Sequence, residues 1–188
     1  MPASTAIHPV GSADLPAFFA YLQAHLQDNG RDGRPLFQPM PRAQSVFPDE
    51  KIAAFTQGLA LDVGAPGWRR AWVATDASGI IGHVDLRARP EGHAAHRAML
   101  GMGVRRDRRR QGLGRALLAA AQDWAGRQPG LDWIDLEVLS ANAAALRLYR
   151  DSGFVRTGEI ADLFRIDGER LDYLFMARPL HTRIANSD

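Results

Sequence analysis

A glycine-rich segment has the residue types of an anion-binding site. Residues 104–115 read VRRDRRRQGLGR, so five arginines precede two closely spaced glycines, Gly112 and Gly114. Glycine has no Cβ, which lets a bulky ligand approach the backbone closely. The first N–H groups of the helix predicted here lack partners within it, and the helix dipole places about half a positive charge there. The arginines add forked donors, so the segment predicts a diphosphate site.

Two common diphosphate loops do not fit this segment. A P-loop needs a lysine directly after its last glycine, and no lysine follows Gly112 or Gly114. A dinucleotide fingerprint needs a third glycine, but Gly114 is followed by Arg, Ala and Leu. The pattern that does match is Arg-x-x-Gly-x-Gly over residues 109–114. It resembles the acyl-coenzyme A pyrophosphate loop of the GNAT superfamily of N-acetyltransferases.

A second block of sequence carries the same resemblance. Residues 142–154 read NAAALRLYRDSGF, which has the family's Asn…Leu-Tyr…Gly-Phe spacing. Residues 101–104 end a predicted strand directly before the loop, as the family's bulged and splayed strand does. The resemblance covers roughly residues 72–180, whereas residues 1–70 match the family only in the order of their elements.

The resemblance implies transfer of an acetyl group from acetyl-CoA, as co-substrate, to an amine. A lysine amine has a pKa of about 10.4 and must lose a proton before it attacks, so a general base is needed. Glu137 is the candidate base, because its spacing from Tyr149 resembles that in ribosomal-protein N-terminal alanine acetyltransferases. Tyr149 matches the family's general acid. The alternative to a catalytic role is an ion pair with an arginine for Glu137 and a packed aromatic side chain for Tyr149.

The resemblance also assigns residues to the coenzyme. The backbone of Met102 and Val104, on either side of Gly103, would pair with the pantetheine amides as an added strand does. Asn142 would fix the pantetheine or cap its helix. Arg105, Arg106 and Arg108 would reach the 3′-phosphate or stay solvated. The diphosphate would lie among consecutive residues of the glycine turn, which are Arg109, Arg110, Gln111, Gly112, Leu113, Gly114 and Arg115.

Other titratable residues are weaker candidates for the base. Many relatives carry a base on the strand before the loop, but residues 97–103 contain no carboxylate or histidine. His83 and Asp85 share one face of their strand and are alternatives to Glu137 as the base. An ordered water is a further alternative. His93 and His96 fall in a predicted hairpin loop. We expect surface positions for the three histidines, whose spacing does not suit a metal site.

The predicted elements place these residues in a mixed α/β fold. The resemblance implies the GNAT fold, a mostly antiparallel sheet splayed between its fourth and fifth strands and flanked by helices. Alternation over residues 133–139 puts Glu137 on the face opposite Ile134, Leu136 and Val138. The expected order is strand 6–10, helix 12–28 capped by Ser12, loop 29–48, helix 49–61, strands 70–75, 79–89 and 98–104, helix 112–125, strand 133–139, helix 142–150, and a hairpin about 167–168.

Composition bounds the class of protein. The 188 residues suit one domain, with residues 1–70 as acceptor side, 71–180 as coenzyme-binding core and 181–188 as tail. The absence of cysteine excludes disulfides and a thiol nucleophile. No apolar run approaches the roughly 20 residues of a membrane span, and the start lacks signal-peptide features. We therefore expect a cytoplasmic protein with no membrane partner.

Two rival functions and the acceptor stay open. The arginine run suggests a nucleic-acid-binding protein, but the net charge is only +2 and no aromatic residue lies within the run. A GNAT-fold sensor of acyl-CoA without catalysis is the second rival. The acceptor is an amine-bearing small molecule or protein, and a homodimer stays open. We expect the acceptor between residues 30–47 and 160–178, where the acidic residues are Asp162, Asp167, Glu169 and Asp172.

Overall fold

A seven-stranded sheet is the centre of the computed structural model, which describes residues 5–181. Its strands, β1 to β7, span Ala6–Pro9, Arg69–Asp76, Gly79–Ala88, Arg97–Val104, Trp133–Leu139, Val155–Ile166 and Glu169–Pro179. Their spatial order is β1-β2-β3-β4-β5-β7-β6, and only the β4–β5 pair is parallel among the described strands. The predicted mixed sheet is confirmed. Of the predicted tail, residues 182–188 lie outside the described residues, as do residues 1–4.

Four α-helices in the described chain flank this sheet: α1 Leu15–Leu26, α2 Asp49–Ala60, α3 Leu113–Ala125 and α4 Ala143–Asp151. The prediction that Ser12 caps the first of them is wrong. Ser12–Asp14 forms a 3-10 turn, and Asp14 is the residue that precedes α1. Pro16 has no N–H and fits only the first turn of an α-helix, which is consistent with a start at Leu15.

The two faces of the sheet carry different layers. On one face, Ile134, Leu136 and Val138 of β5 pack in the main core with apolar residues of α3 and α4. On the other face, α1 and α2 pack on β2 through a smaller aromatic cluster that includes Phe18 and Phe55. Glu137 alternates away from the main core and is exposed, as the sequence predicts.

The sheet opens between its two parallel strands. β4 pairs with β5 only from Arg97 to Met99, after which β4 follows β3 and β5 follows β7. The closed end is held by the buried Asp135 carboxylate, which accepts from Arg97 Nε at 2.7 Å and from Arg89 Nη1 at 2.8 Å. The predicted splay between the fourth and fifth strands is therefore confirmed.

The long loop after α1 has a defined shape. The buried amide of Asn29 accepts from the N–H groups of Phe37 and Gln38 and donates to the Ser45 hydroxyl. These bonds satisfy backbone groups that regular structure would otherwise satisfy. At its far end the Arg42 guanidinium forms an ion pair with Asp167 at 3.1 Å, which ties the loop to the β6–β7 turn. The loop thus lies against the tail hairpin.

Candidate active site

The two glycines at the start of α3 have different roles. Gly112 has φ +80°, and a Cβ placed there would meet nothing within 4 Å. A Cβ on Gly114 would lie 2.9 Å from Leu148 Cδ2, so this glycine allows α4 to pack closely against α3. The helix start is therefore open beside Gly112, where its unpartnered N–H groups can meet an anion.

Three of the five clustered arginines already have acidic partners. Arg105 pairs with Asp107, Arg106 with Asp32, and Arg108 with Asp76, at 2.7, 2.7 and 2.9 Å. Their contact with a 3′-phosphate stays a prediction. These pairs also reduce the positive charge available for a nucleic acid.

The remaining arginines lie nearer the glycine turn. Within residues 5–181, Arg109 and Arg110 form no ion pair, and Arg109 Nε donates to the Val104 carbonyl at 3.0 Å. Arg110 is exposed and has φ +62°. Arg115 is exposed and lies 3.6 Å from the Asp151 carboxylate. Arg109 and Arg110 are therefore the arginines of this cluster that stay available to an anion beside Gln111 and Gly112.

The end of β4 has a free edge at the opening. Residues 102–104 pair with β3, while β5 has already diverged. Met102 and Val104 are partly buried against the main core, and Gly103 lies on the opposite face. Asn142 accepts from the Ala145 N–H at 3.2 Å, which confirms its capping role. Its contact with pantetheine stays a prediction.

Glu137 and Tyr149 belong to elements next to the opening. Glu137 is exposed on β5 beyond the last β4–β5 pair, and Tyr149 of α4 packs against Phe154 in the main core. Burial raises the pKa of the Tyr149 phenol above its usual range, so it keeps its proton at neutral pH. A protonated phenol is what a general acid requires.

Tyr173 of β7 is a residue that the sequence analysis missed. It hydrogen-bonds with Glu137, and burial, followed by the Glu137 charge and this hydrogen bond, raises its pKa to about 12. Its electrostatic effect also contributes to the raised pKa of Tyr149. Alternation along the tail hairpin could assign Tyr173 to one face of the sheet from sequence alone. Its position beside Glu137 depends on the pairing of β5 with β7, which the sequence does not show.

Comparison with known proteins settles the family. Residues 36–154 match the acetyltransferase (GNAT) family model, which is more than half of the chain. The chain belongs to the GNAT acetyltransferase family. No curated protein matches it.

Solved structures confirm the GNAT fold. A ribosomal-protein-alanine N-acetyltransferase from Brucella melitensis is 25% identical with a TM-score of 0.72, and the match covers 93% of this chain and 99% of that one. The putative acetyltransferase yncA from Salmonella typhimurium, solved with acetyl-CoA, is 21% identical with a TM-score of 0.76 and coverages of 97% and 98%. A Vibrio cholerae spermidine N-acetyltransferase, solved with CoA and spermine, is 18% identical with a TM-score of 0.69 and coverages of 94% and 95%.

Acetyl-CoA is the co-substrate of this GNAT fold. The open turn at Gly112 fits its diphosphate, because a Cβ there meets nothing within 4 Å. In residues 5–181 of this GNAT protein, no group of three or more His, Cys, Asp or Glu residues could hold a metal ion. Over the same residues, no helix is long and apolar enough to cross a membrane.

Two of the four alternative titratable residues are not on the surface of this GNAT protein. His83 and Asp85 are only 6% and 5% exposed, so the surface position expected for His83 is wrong. Asp85 is paired with Arg69 at 2.7 Å, and burial lowers the pKa of His83 to about 4. The cause is that α1 packs over their face of β3, where Phe18 contacts the His83 ring. His93 and His96 are exposed, as expected.

The acidic residues of the tail hairpin have partners as well. Asp167 and Glu169 both bind Arg42, and Asp162 binds Arg165 at 2.6 Å. Asp172 accepts from the backbone N–H of Asp162 at 2.8 Å. The predicted acidic surface for a cationic acceptor is thus largely compensated within this GNAT protein. Sequence alone could not pair residues of the tail with a loop far away in the chain.

Proposed function

We propose that the protein transfers an acetyl group from acetyl-CoA directly to a primary amine, with Glu137 as general base and Tyr149 as general acid. The observation that carries this proposal is the opening of the sheet beyond Met99 and Asp135. Glu137 lies on one face beside the opening, and Tyr149 enters from the layer on the other face. Tyr173 interacts with both of them.

The coenzyme would lie along the end of β4 and the start of α3. The free edge of residues 102–104 suits pantetheine, which carries amides that can bond to a strand edge. The helix N-terminus at Gly112 suits the diphosphate. Arg109, Arg110 and Arg115 are the cations close to this turn, and Asn142 caps the helix that carries Tyr149.

The reaction needs three proton transfers that these side chains can perform. Glu137 would take a proton from the acceptor ammonium, directly or through water, and the neutral amine would then attack the thioester carbonyl. The carbon–nitrogen bond forms and the carbon–sulfur bond breaks. Tyr149 would give its proton to the departing thiolate, and the second proton that the nitrogen loses as the amide forms would restore the phenol. The raised pKa of Tyr149 keeps its proton in place until the thiolate departs.

The acceptor would enter on the face that carries Glu137 and Tyr173. The ordered loop of residues 29–48 and the tail hairpin lie on this side, joined through Arg42. Their carboxylates are largely paired, so the exposed Glu137 rather than an acidic surface would attract the amine. The acceptor would be an amine-bearing small molecule or protein. The proposal includes a cytoplasmic location and a single domain, and it leaves a homodimer open.

A screen of amines with acetyl-CoA tests the proposed function. Free thiol would be measured with a panel that contains polyamines, amino acids and peptides with free N-termini, and acetylated products would be identified by mass spectrometry. The proposal expects thiol release that depends on one class of amine and exceeds release without amine. Tight CoA binding with no amine-dependent release would instead favour the acyl-CoA sensor. High-affinity, specific nucleic-acid binding without CoA binding would favour the other rival.

A further inference from the structure

The acceptor-side face of β4 carries no side chains at its end. Gly101 and Gly103 lie on that face, whereas Met102 and Val104 point into the main core. This end of the strand also has no pairing with β5. A glycine-containing strand end that is paired along only one edge has little of its own to fix its position. Another part of the chain must therefore hold it.

His25 of α1 fills the space beside Gly103. A Cβ built on Gly103 would lie 2.8 Å from Cδ2 and 2.9 Å from Cε1 of this imidazole, and nearer still to Nε2. Real Cβ atoms essentially never come so close to another atom. The ring therefore stands where a side chain of residue 103 would stand. It lies directly against the strand that we propose binds the pantetheine.

Three aromatic neighbours fix the His25 ring. Tyr21 stacks on it with centroids 5.8 Å apart, Phe37 lies 4.9 Å away, and His83 meets it edge-on at 5.9 Å. The Tyr21 hydroxyl donates to the Gly103 carbonyl at 3.2 Å and lies 3.2 Å from His83 Nδ1. The ring cannot swing aside without disturbing groups that also hold β4.

The His25 contact works through shape rather than charge or hydrogen bonding. Its Nδ1 atom is buried and has no hydrogen-bond partner among the described residues. Burial, with smaller effects from His83 and Arg109, lowers the pKa of His25 to about 3, so the ring is neutral at pH 7. A neutral ring with such a low pKa is a poor general base, but it is a suitable rigid wall.

We propose that His25 is a positioning residue, whose imidazole replaces the side chain that residue 103 lacks and thereby fixes the pantetheine-binding end of β4. The inference rests on the proposed function, because the fixed segment is the one assigned to the coenzyme. Phe37 contacts the His25 ring and lies 6.0 Å from the Arg109 guanidinium carbon. The same contact therefore links the acceptor-side loop to the coenzyme side of the site.

The test is a cycle of variants read by CoA binding in calorimetry. Gly103→Ala should weaken CoA binding about tenfold, the equivalent of a modest overpacking strain. In the His25→Ala background the same Gly103→Ala change should alter the Kd by no more than about twofold, because the ring that it meets is gone. His25→Phe should keep wild-type affinity, since a flat ring remains, whereas His25→Ala should lose part of it.

Gly101→Ala is the matched control. Its Cβ would meet Asp85 Oδ2 at 2.5 Å and Arg87 Nη1 at 3.0 Å, on the same strand and face but away from His25. Its effect on CoA binding should persist in the His25→Ala background. The proposal would be overturned by an unrelieved Gly103→Ala effect, or by equal affinity of the His25→Phe and His25→Ala variants.

The same cycle separates this inference from the proposed function. A wild-type protein that does not bind CoA would overturn the proposed function. Melting temperatures of the variants would then decide separately whether His25 packs against residue 103. If Gly103→Ala does not fold alone, folding of the double variant supports the contact. Failure of both variants to fold contradicts it, provided that His25→Ala alone folds.

Discussion

Placing a glutamate at Gly112 should weaken coenzyme binding without unfolding the protein. Gly112 begins α3 with φ +80°, and a side chain there points into open space. A non-glycine residue in this left-handed region costs about 1–2 kcal/mol. No atom within 4 Å of the new Cβ adds a clash, so the Gly112→Glu variant should lose only this amount of folding free energy.

The loss of affinity follows from charge. Two unit charges 4 Å apart interact by about 1 kcal/mol at the dielectric constant of water and by about 4 kcal/mol at the effective value near a protein surface. A diphosphate with two charges beside the new carboxylate therefore loses at least about 2 kcal/mol. That corresponds to a Kd raised roughly thirtyfold or more.

Gly130 provides the matched control for this prediction. It has φ +83°, a Cβ added to it would also meet nothing within 4 Å, and it lies beyond the opposite end of α3. Gly130→Glu should lower the melting temperature about as much as Gly112→Glu but leave the CoA Kd measured by calorimetry unchanged. Equal CoA affinity in the two glutamate variants would refute the coenzyme site at the glycine turn.

Two further predictions concern protonation. In Glu137→Gln, amine-dependent thiol release should be slow at neutral pH and recover as pH rises towards the amine's pKa, because the amine then loses its proton unaided; a wild-type pH profile would remove Glu137 from the mechanism. The pKa values of His25 and His83 are lowered to about 3 and about 4, so the unfolded state binds more protons from about pH 6.5 down to these two values. In this pH range the free energy of unfolding, measured with denaturant, should decrease as the pH is lowered, by up to about 1.4 kcal/mol per pH unit for each histidine. The decrease should be less steep in His25→Phe. An unchanged slope in that variant would contradict a neutral, buried His25.

Local patterns predicted several structural features of the candidate site. The alternation of β5 predicted that Glu137 faces away from the core, and the strand-to-helix spacing predicted the open turn at Gly112. Asn142 was predicted to fix the pantetheine or to cap the helix that carries Tyr149, and the cap is present. These features depend on residues close together in the chain, where periodicity and capping chemistry act directly.

Contacts between distant segments could not be predicted in this way. Neither His25 beside Gly103 nor Tyr173 beside Glu137 follows from any local pattern, because each depends on how whole elements pack. The pairing of Arg106 with Asp32 is similar, since an arginine run alone does not show which carboxylates neutralise it. The surface position expected for His83 was wrong because β3 alternation does not reveal that α1 covers that face.

The central claim is that acetyl transfer occurs at the opening between β4 and β5, with the Tyr149 phenol as the acid. The most direct test is the rate of amine-dependent thiol release by Tyr149→Phe, which keeps the ring packed against Phe154 and removes only the hydroxyl. We predict that turnover falls about 10²–10⁴-fold, while CoA affinity and melting temperature stay near wild type. Undiminished turnover in a folded Tyr149→Phe protein would contradict this account.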